Sequence, residues 1–305
     1  MTAALALLFK LIPLYVTVAM GWAAGRYLEA SGRHIAGIML YMVTPSVIFY
    51  GVMKAPLTTE VVLLPLLTFG LSTLIGVVHL LIGKRLLTDG SANILPLAAG
   101  TGNTGYFGIP VALLLFGEQG LGIYIVCMLG TTLYETSVGF YFAARGRYGA
   151  ADCLRRVAKL PSVYAFALAV VLNLSGLTIP DVFEPLFDNL RGAYSVFGMM
   201  IVGMGIVSLR GLAGNPRFTG LAFMGKFVIW PMTALLLWWV DSRFFQIYDI
   251  NVYQALFLVS ITPMAANTVV IATLLDASPR QAAGTTLLST LFALAFIPVM
   301  VALVL

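Results

Sequence analysis

The chain has 305 residues, of which 60% are hydrophobic and only 10% are charged, whereas soluble domains carry roughly 25% charge. This balance excludes an ordinary soluble domain and indicates that most of the chain lies in lipid. The formal net charge of +5 does not indicate nucleic acid, because most basic residues fall in short loops between apolar stretches. The two cysteines, Cys127 and Cys153, are too few to indicate a disulfide framework.

Ten apolar segments follow one another along the chain, each close to the length of about 20 residues that crosses a bilayer. Charged residues, Gly and Pro separate them. We call them predicted spans one to ten, and they cover residues 3–27, 34–53, 61–83, 92–117, 119–144, 161–178, 187–209, 218–240, 251–276 and 280–304. The first lacks a preceding basic stretch and exceeds the apolar region of a signal peptide, so we expect it to be retained.

The distribution of Lys and Arg predicts the orientation, because these residues concentrate in cytoplasmic loops. Twelve of the seventeen basic residues fall in one alternating set of loops. The opposite loops hold only Lys54, Arg191 and Arg243. The pattern predicts a multi-pass protein of the bacterial inner (plasma) membrane with both termini outside.

The two halves of the chain repeat the same order of spans. Residues 1–146 correspond to residues 160–305, and residues 147–159 form a basic cytoplasmic connector. Because five spans is an odd number, the second half must enter the membrane from the opposite side. The result is an inverted repeat, which is the usual architecture of secondary transporters.

Predicted spans four and nine differ from the others, because small, polar and helix-breaking residues interrupt their apolar runs. Gly and Pro free backbone groups at membrane depth, which only protein or a water-filled cavity can satisfy. The N-termini of the resulting half-helices carry partial positive charge, so we predict a substrate site for an anion there. Its candidate residues are Asn103, Thr104, Tyr106, Pro110, Pro263, Asn267 and Thr268. The alternative is that Gly only packs helices closely and Pro only kinks them.

Polar residues inside other spans are further candidates. Glu135 in span five and Lys226 in span eight lie at membrane depth, where ionisable residues are costly and functional by default. We predict that they pair, either as a static ion pair or for proton or substrate coupling. Thr44 and Ser46 flank Pro45 in span two, where they either line the substrate cavity or satisfy a simple proline kink.

The segment from Asn103 to Pro110 and the run from Pro263 through Pro279 to Pro298 resemble the auxin efflux carrier family. That family includes malonate and malate transporters of bacteria and the PIN-type auxin exporters of plants. The resemblance implies ten helices with two crossing broken helices, in a fold like that of sodium/proton antiporters. It also implies a scaffold of spans one, two, six and seven, a core of spans three to five and eight to ten with an elevator movement, and a homodimer formed through the scaffold.

The sequence holds no P-loop, no nucleophile with a base and no cluster of metal ligands, so we expect no enzyme, no metal and no cofactor. We predict a secondary active or facilitative transporter of small organic anions, either an auxin-like monocarboxylate or a dicarboxylate such as malonate or malate. Its partners are this anion, membrane lipid and a second copy, but not nucleic acid. The alternatives are a sodium- or proton-coupled symporter related to bile acid carriers, and an ion channel or sensor with the same fold. No acidic cluster indicates a sodium site.

Overall fold

The computed structural model describes residues 3–54, 59–207 and 215–305, and within these ranges the chain is helical, with no strand. The first half forms α1 (Ala3–Tyr27), α2 (Gly32–Lys54), α3 (Thr59–Leu86), α4 (Leu95–Gly100) and α5 (Ile109–Tyr134). Helix α5 bends at Gly117, where φ is +66°, and a π turn (Glu135–Gly139) and a last turn (Phe140–Ala144) extend it.

The second half follows the connector helix α6 (Ala150–Ala158). It consists of α7 (Pro161–Leu174), α8 (Glu184–Val207), α9 (Pro216–Phe245), α10 (Ile250–Ile261), α11 (Ala266–Leu275) and α12 (Pro279–Val304). Several helices contain a π turn, in which the backbone loops one residue wider than in an α-helix. These turns cover Met39–Val43, Thr104–Gly108, Glu135–Gly139, Gly225–Ile229 and Asp241–Phe245.

Five helices in the described ranges are long and apolar enough to cross a membrane, and a sixth crossing results if α10 and α11 form one broken span. The chain is thus an all-α integral membrane protein. The predicted count of ten spans is not reached, although a helix overlaps every predicted span. One reason is that α7, with 14 residues, is too short to count as a crossing. Another is that the breaks divide spans into short pieces, so that α4 has only 6 residues.

Apolar side chains cover the outer surface of the long helices. On α3, for example, Leu66, Leu74 and Leu81 are each more than half exposed. Contiguous exposed apolar surface of this kind marks contact with lipid or with another protein. Helix α3 therefore presents one side to the bilayer and the other to the helices behind it.

Helices α1 and α8 cross at very short distance, through small residues. A Cβ atom added to Gly203 would lie 2.0 Å from the carbonyl oxygen of Val18, and one added to Gly21 would lie 2.1 Å from that of Met200. Glycine is the residue that lets two membrane helices approach until their backbones touch. The crossing therefore depends on the absence of side chains at both positions.

Gly203→Ala is expected to lower the thermal midpoint of the purified protein, because its methyl group must push α1 away from α8. Overpacking of this kind costs about 1–3 kcal/mol. The matched control is Gly70→Ala on α3, where an added Cβ would meet no atom within 4 Å. Thermal unfolding followed by size-exclusion chromatography compares the two, and equal midpoints would contradict the close crossing.

Helices α2 and α7 form a second pair. The side-chain amide of Asn173 on α7 donates to the carbonyl oxygens of Val52 at 2.8 Å and Met53 at 3.1 Å. Carbonyl groups in the last turn of a helix lack partners within it, so Asn173 satisfies the end of α2. Helix α5 packs separately, against α3 and α10.

Candidate functional site

Both predicted breaks are present in the structure. Helix α4 ends at Gly100, residues 101–103 are extended, and a π turn leads into α5. Residues 262–265 separate α10 from α11, and the two helices are bent by 48°. The backbones of the breaks meet, because the N–H of Asn103 donates to the carbonyl oxygen of Pro263 at 2.7 Å. Each break therefore satisfies a backbone group that the other leaves unpaired.

A cavity of about 380 Å³ lies against the start of the second half of each broken span. One side is formed by residues 102–105 and the other by residues 265–267. Backbone N–H groups in the first turn of a helix lack partners and carry partial positive charge. The cavity thus faces two helix N-termini, which is the arrangement that the sequence predicted for an anion.

Three helices complete the wall, each with one stripe of side chains at helical spacing. Helix α2 contributes positions 44, 47, 48 and 51, α5 with its extension contributes 128, 129, 132 and 135, and α8 contributes 188, 191, 192 and 195. The first two stripes are mainly apolar, with Val47, Ile48, Met128 and Leu129 among them. The α8 stripe is polar and charged. The cavity therefore has an apolar side and a polar side.

Glu135 and Asn267 meet at the inner, buried end of the cavity. The side-chain amide nitrogen Nδ2 of Asn267 donates to Oε1 of Glu135 at 2.5 Å and to the hydroxyl of Tyr194 at 2.7 Å. Oδ1 of Asn267 is buried and has no hydrogen-bond partner. Leaving a buried acceptor unpaired costs roughly 1–3 kcal/mol, so this oxygen is in position to accept from a ligand or to coordinate one.

Charged residues surround the exposed end of the cavity. Arg191 and Asp188 line it and form an ion pair at 3.3 Å. The guanidinium of Arg191 also lies 6.0 Å from the ring centre of Tyr50. Lys54 at the end of α2 pairs with Glu184 at the start of α8. The entrance thus has basic residues within reach of an approaching anion.

The predicted ion pair between Glu135 and Lys226 is wrong. Both residues lie in the described part of the chain and both are buried, but no ion pair joins them there. Glu135 bonds to Asn267, whereas Nζ of Lys226 donates to the carbonyl oxygen of Val259 at 3.4 Å. The two spans are apolar all round, so their composition does not indicate how each helix is rotated. That rotation directs the two side chains to different neighbours.

The other candidates are distributed as follows. Asn103, Thr104, Asn267 and Thr44 line the cavity. Pro263 contributes its carbonyl oxygen to the contact between the breaks. Ser46 does not line the cavity, because its hydroxyl donates to the carbonyl oxygen of Met42 at 2.9 Å, as expected at a proline kink.

Three candidates remain. Thr268 is fully buried behind Asn267, and its hydroxyl oxygen has no hydrogen-bond partner. The side chains of Tyr106 and Pro110 fall outside the described part of the structure. Their roles in substrate binding stay predictions.

Sequence reasoning missed Arg191 and Tyr194 as site residues. Both lie on α8, which the sequence analysis treated as an ordinary span. The available signal for Arg191 was the polar stripe at positions 188, 191, 192 and 195, because the spacing i, i+3, i+4, i+7 places residues on one face of a helix; Tyr194 lies outside this stripe. A membrane helix with one charged face is expected to turn that face away from lipid.

Comparison with known proteins identifies similar chains among transporters. A family model described as the Sodium Bile acid symporter family matches residues 194–305. An uncharacterized transporter of Methanocaldococcus jannaschii is 28% identical over 275 residues, which is 87% of each chain. An uncharacterized transporter of Methanothermobacter thermautotrophicus is 31% identical over 152 residues, which is 49% of this chain and 50% of the relative.

The resemblance to the auxin efflux carriers is therefore wrong, because the matching family model is that of the sodium bile acid symporters, over the segment that contains Lys226 and the second break. The motifs that suggested the resemblance are Gly-, Asn- and Pro-rich, and any broken membrane helix needs such residues. They indicate the break more strongly than the family. The comparisons and the apolar helices together identify the chain as a multi-pass membrane transporter, and they favour transport over catalysis.

Proposed function

We propose that the transporter is a symporter that couples uptake of an amphipathic organic anion to a cation, and that the cation is Na⁺. The observation that carries this proposal is the buried Glu135–Asn267 pair in a cavity that two helix N-termini face. Helix N-termini attract an anion, whereas a carboxylate attracts a cation. A site that combines both is suited to bind the two ions together.

The electrostatics of this site account for coupling. Two negative charges about 5 Å apart repel each other by roughly 3 kcal/mol at an effective dielectric constant near 20. An organic anion beside the Glu135 carboxylate therefore binds weakly until a cation neutralises that carboxylate. In the same way, the bound anion strengthens binding of the cation, because coupling between two ligands is reciprocal.

The donor set favours Na⁺ as the cation. The Glu135 carboxylate and the unpartnered Oδ1 of Asn267 are both oxygen ligands, which hard cations prefer. The matching family is named for sodium and bile acid symport, and this supports the same choice. A proton is the second candidate, because protonation of Glu135 would remove the same negative charge without any ligand.

The lining and volume of the cavity support one class of anion. Arg191, Asn103 and the helix N-termini supply polar groups, whereas Val47, Ile48 and Leu129 supply apolar surface. Such a surface suits a carboxylate attached to an apolar body. A volume of about 380 Å³ is within the size range of small-molecule sites. We propose an amphipathic monocarboxylate rather than a small dicarboxylate, because the walls from α2 and α5 are mainly apolar.

Uptake into proteoliposomes tests this function. Labelled cholate, benzoate and malonate are offered with an inward gradient of Na⁺, of protons, or of choline as the inert cation. We expect saturable uptake of an amphipathic monocarboxylate driven by Na⁺, with Arg191→Gln raising KM about tenfold through loss of a charge-assisted contact. Uptake driven only by protons would favour the second candidate. Large unsaturable currents would contradict a carrier and indicate a channel.

The larger architecture belongs to the same proposal. The pairing of α1 with α8 and of α2 with α7 supports a scaffold separate from the remaining helices, with two inverted halves at residues 1–146 and 160–305. Movement of the core against this scaffold would alternate the access to the cavity. We also expect a homodimer formed through the scaffold and ten spans in all. The protein is expected in the inner membrane with both termini outside. Labelling of single cysteines introduced in the loops tests the orientation.

A further inference from the structure

The two broken spans have two kinds of helix end, and the cavity uses only one kind. The N-terminal ends of the second halves face the cavity. The C-terminal ends of the first halves, at Gly100 and Ile261, do not line it. Carbonyl oxygens in the last turn of a helix lack partners and carry partial negative charge. These C-terminal ends therefore have the polarity that binds a cation.

Lys226 lies beside the C-terminal end of α10. It lies in the π turn of α9 and is 1% exposed. Its Nζ donates to the carbonyl oxygen of Val259, in the last turn of α10, at 3.4 Å. A Cβ atom added to Gly102, in the first break, would lie only 2.6 Å from the same Nζ. The amine therefore lies between the end of α10 and the first break.

A further contact fits a cation at this position. Nζ lies 5.2 Å from the centre of the Trp230 ring. The electron-rich face of an indole ring attracts a cation. Within the described part of the chain, no carboxylate forms an ion pair with Lys226. Its partners are thus the end of α10 and a ring, which are the partners of a bound ion rather than of a salt bridge.

We propose that the Lys226 ammonium is a built-in cation that fills the position between the C-terminal end of α10 and the first break, where an exchangeable cation would otherwise bind. Carriers with broken helices coordinate their coupling ions with unwound carbonyls and half-helix C-termini. Because Lys226 already supplies the charge there, the site at Glu135 is the single exchangeable cation site. Lys226 thereby sets the number of cations per transport cycle at one. The identity of that cation rests on the proposed function.

Binding of ²²Na⁺ to the purified protein tests this inference by counting sites. We expect one bound Na⁺ per chain in the unmodified protein and two in Lys226→Ala, because the vacated position becomes available. Glu135→Gln should bind none, and the double variant should bind one. Lys84→Ala, a lysine at the exposed end of α3, is the matched control and should bind one.

The outcomes separate this inference from the proposed function. A folded Lys226→Ala that binds the same number of Na⁺ as the unmodified protein overturns the inference and leaves Na⁺ coupling at Glu135 intact. No binding by the unmodified protein, with one Na⁺ in Lys226→Ala, supports the inference and overturns Na⁺ as the coupling ion. Lys226→Gln is the second variant, in case Ala does not fold. Failure of both variants to fold even in sodium-rich buffer also overturns the inference, because Na⁺ should refill the vacated position.

Discussion

Glu135→Gln is expected to reduce Na⁺-driven uptake by about 100-fold, which corresponds to roughly 2.7 kcal/mol in the rate, while the protein stays folded. The glutamine keeps an oxygen that accepts from Nδ2 of Asn267, so the local hydrogen bond survives. It removes the negative charge that we propose binds the cation. Because no ion pair links Glu135 to Lys226 in the described residues, the substitution leaves no unpaired buried partner behind.

Uptake and thermal stability are measured on the same preparation. Asp152→Asn in the exposed connector helix α6 makes the same type of change outside the cavity and should transport normally. Unchanged Na⁺ dependence in Glu135→Gln would contradict the proposed cation site. A large fall in the thermal midpoint would assign Glu135 a structural role instead.

Asn267→Ala is expected to weaken the binding of both substrate and Na⁺, each by about 10- to 100-fold. The change removes two donated hydrogen bonds and the unpartnered Oδ1 in one step, and it leaves Glu135 and Tyr194 without a shared partner. The hydrogen bond to the Glu135 carboxylate is worth about 1.5–3 kcal/mol, because one partner is charged. Asn103→Ala should weaken substrate binding from the other break, because Asn103 lines the same cavity.

Isothermal titration with Na⁺ and with the transported anion measures this effect. Tyr194→Phe removes only the hydroxyl that accepts from Asn267 and should give a smaller loss. Asn251→Ala, at the exposed start of α10, is the control for the substitution itself. If Asn267→Ala binds Na⁺ and the anion as tightly as Asn251→Ala does, the binding site does not lie between the broken spans.

The cavity and the Lys226 position lie at different ends of the broken spans. N-terminal ends face the cavity, whereas the end of α10 contacts Lys226. Neither break contains a charged residue, and Glu135 and Lys226 both come from outside the breaks. In our proposals the anion and the exchangeable cation share the cavity beside Glu135, and Lys226 occupies the second position.

The sequence by itself determined the membrane location, the helical class and the two breaks. These follow from local composition: apolar runs partition into lipid, and residues such as Gly102 and Pro263 act on the backbone at their own position. The candidates Asn103, Thr104 and Asn267 follow from the same breaks, and all three line the cavity. The family resemblance was wrong because any broken membrane helix needs Gly-, Asn- and Pro-rich segments, whatever its family.

Only the tertiary structure decided which side chains meet across helices. Glu135 joins Asn267, Lys226 joins the end of α10, and Tyr194 enters the site from α8. Each contact depends on the rotation of a helix about its axis. The sequence of an α-helix that is apolar all round does not indicate this rotation. The rotation is set by packing against neighbouring helices, as at Gly21 and Gly203.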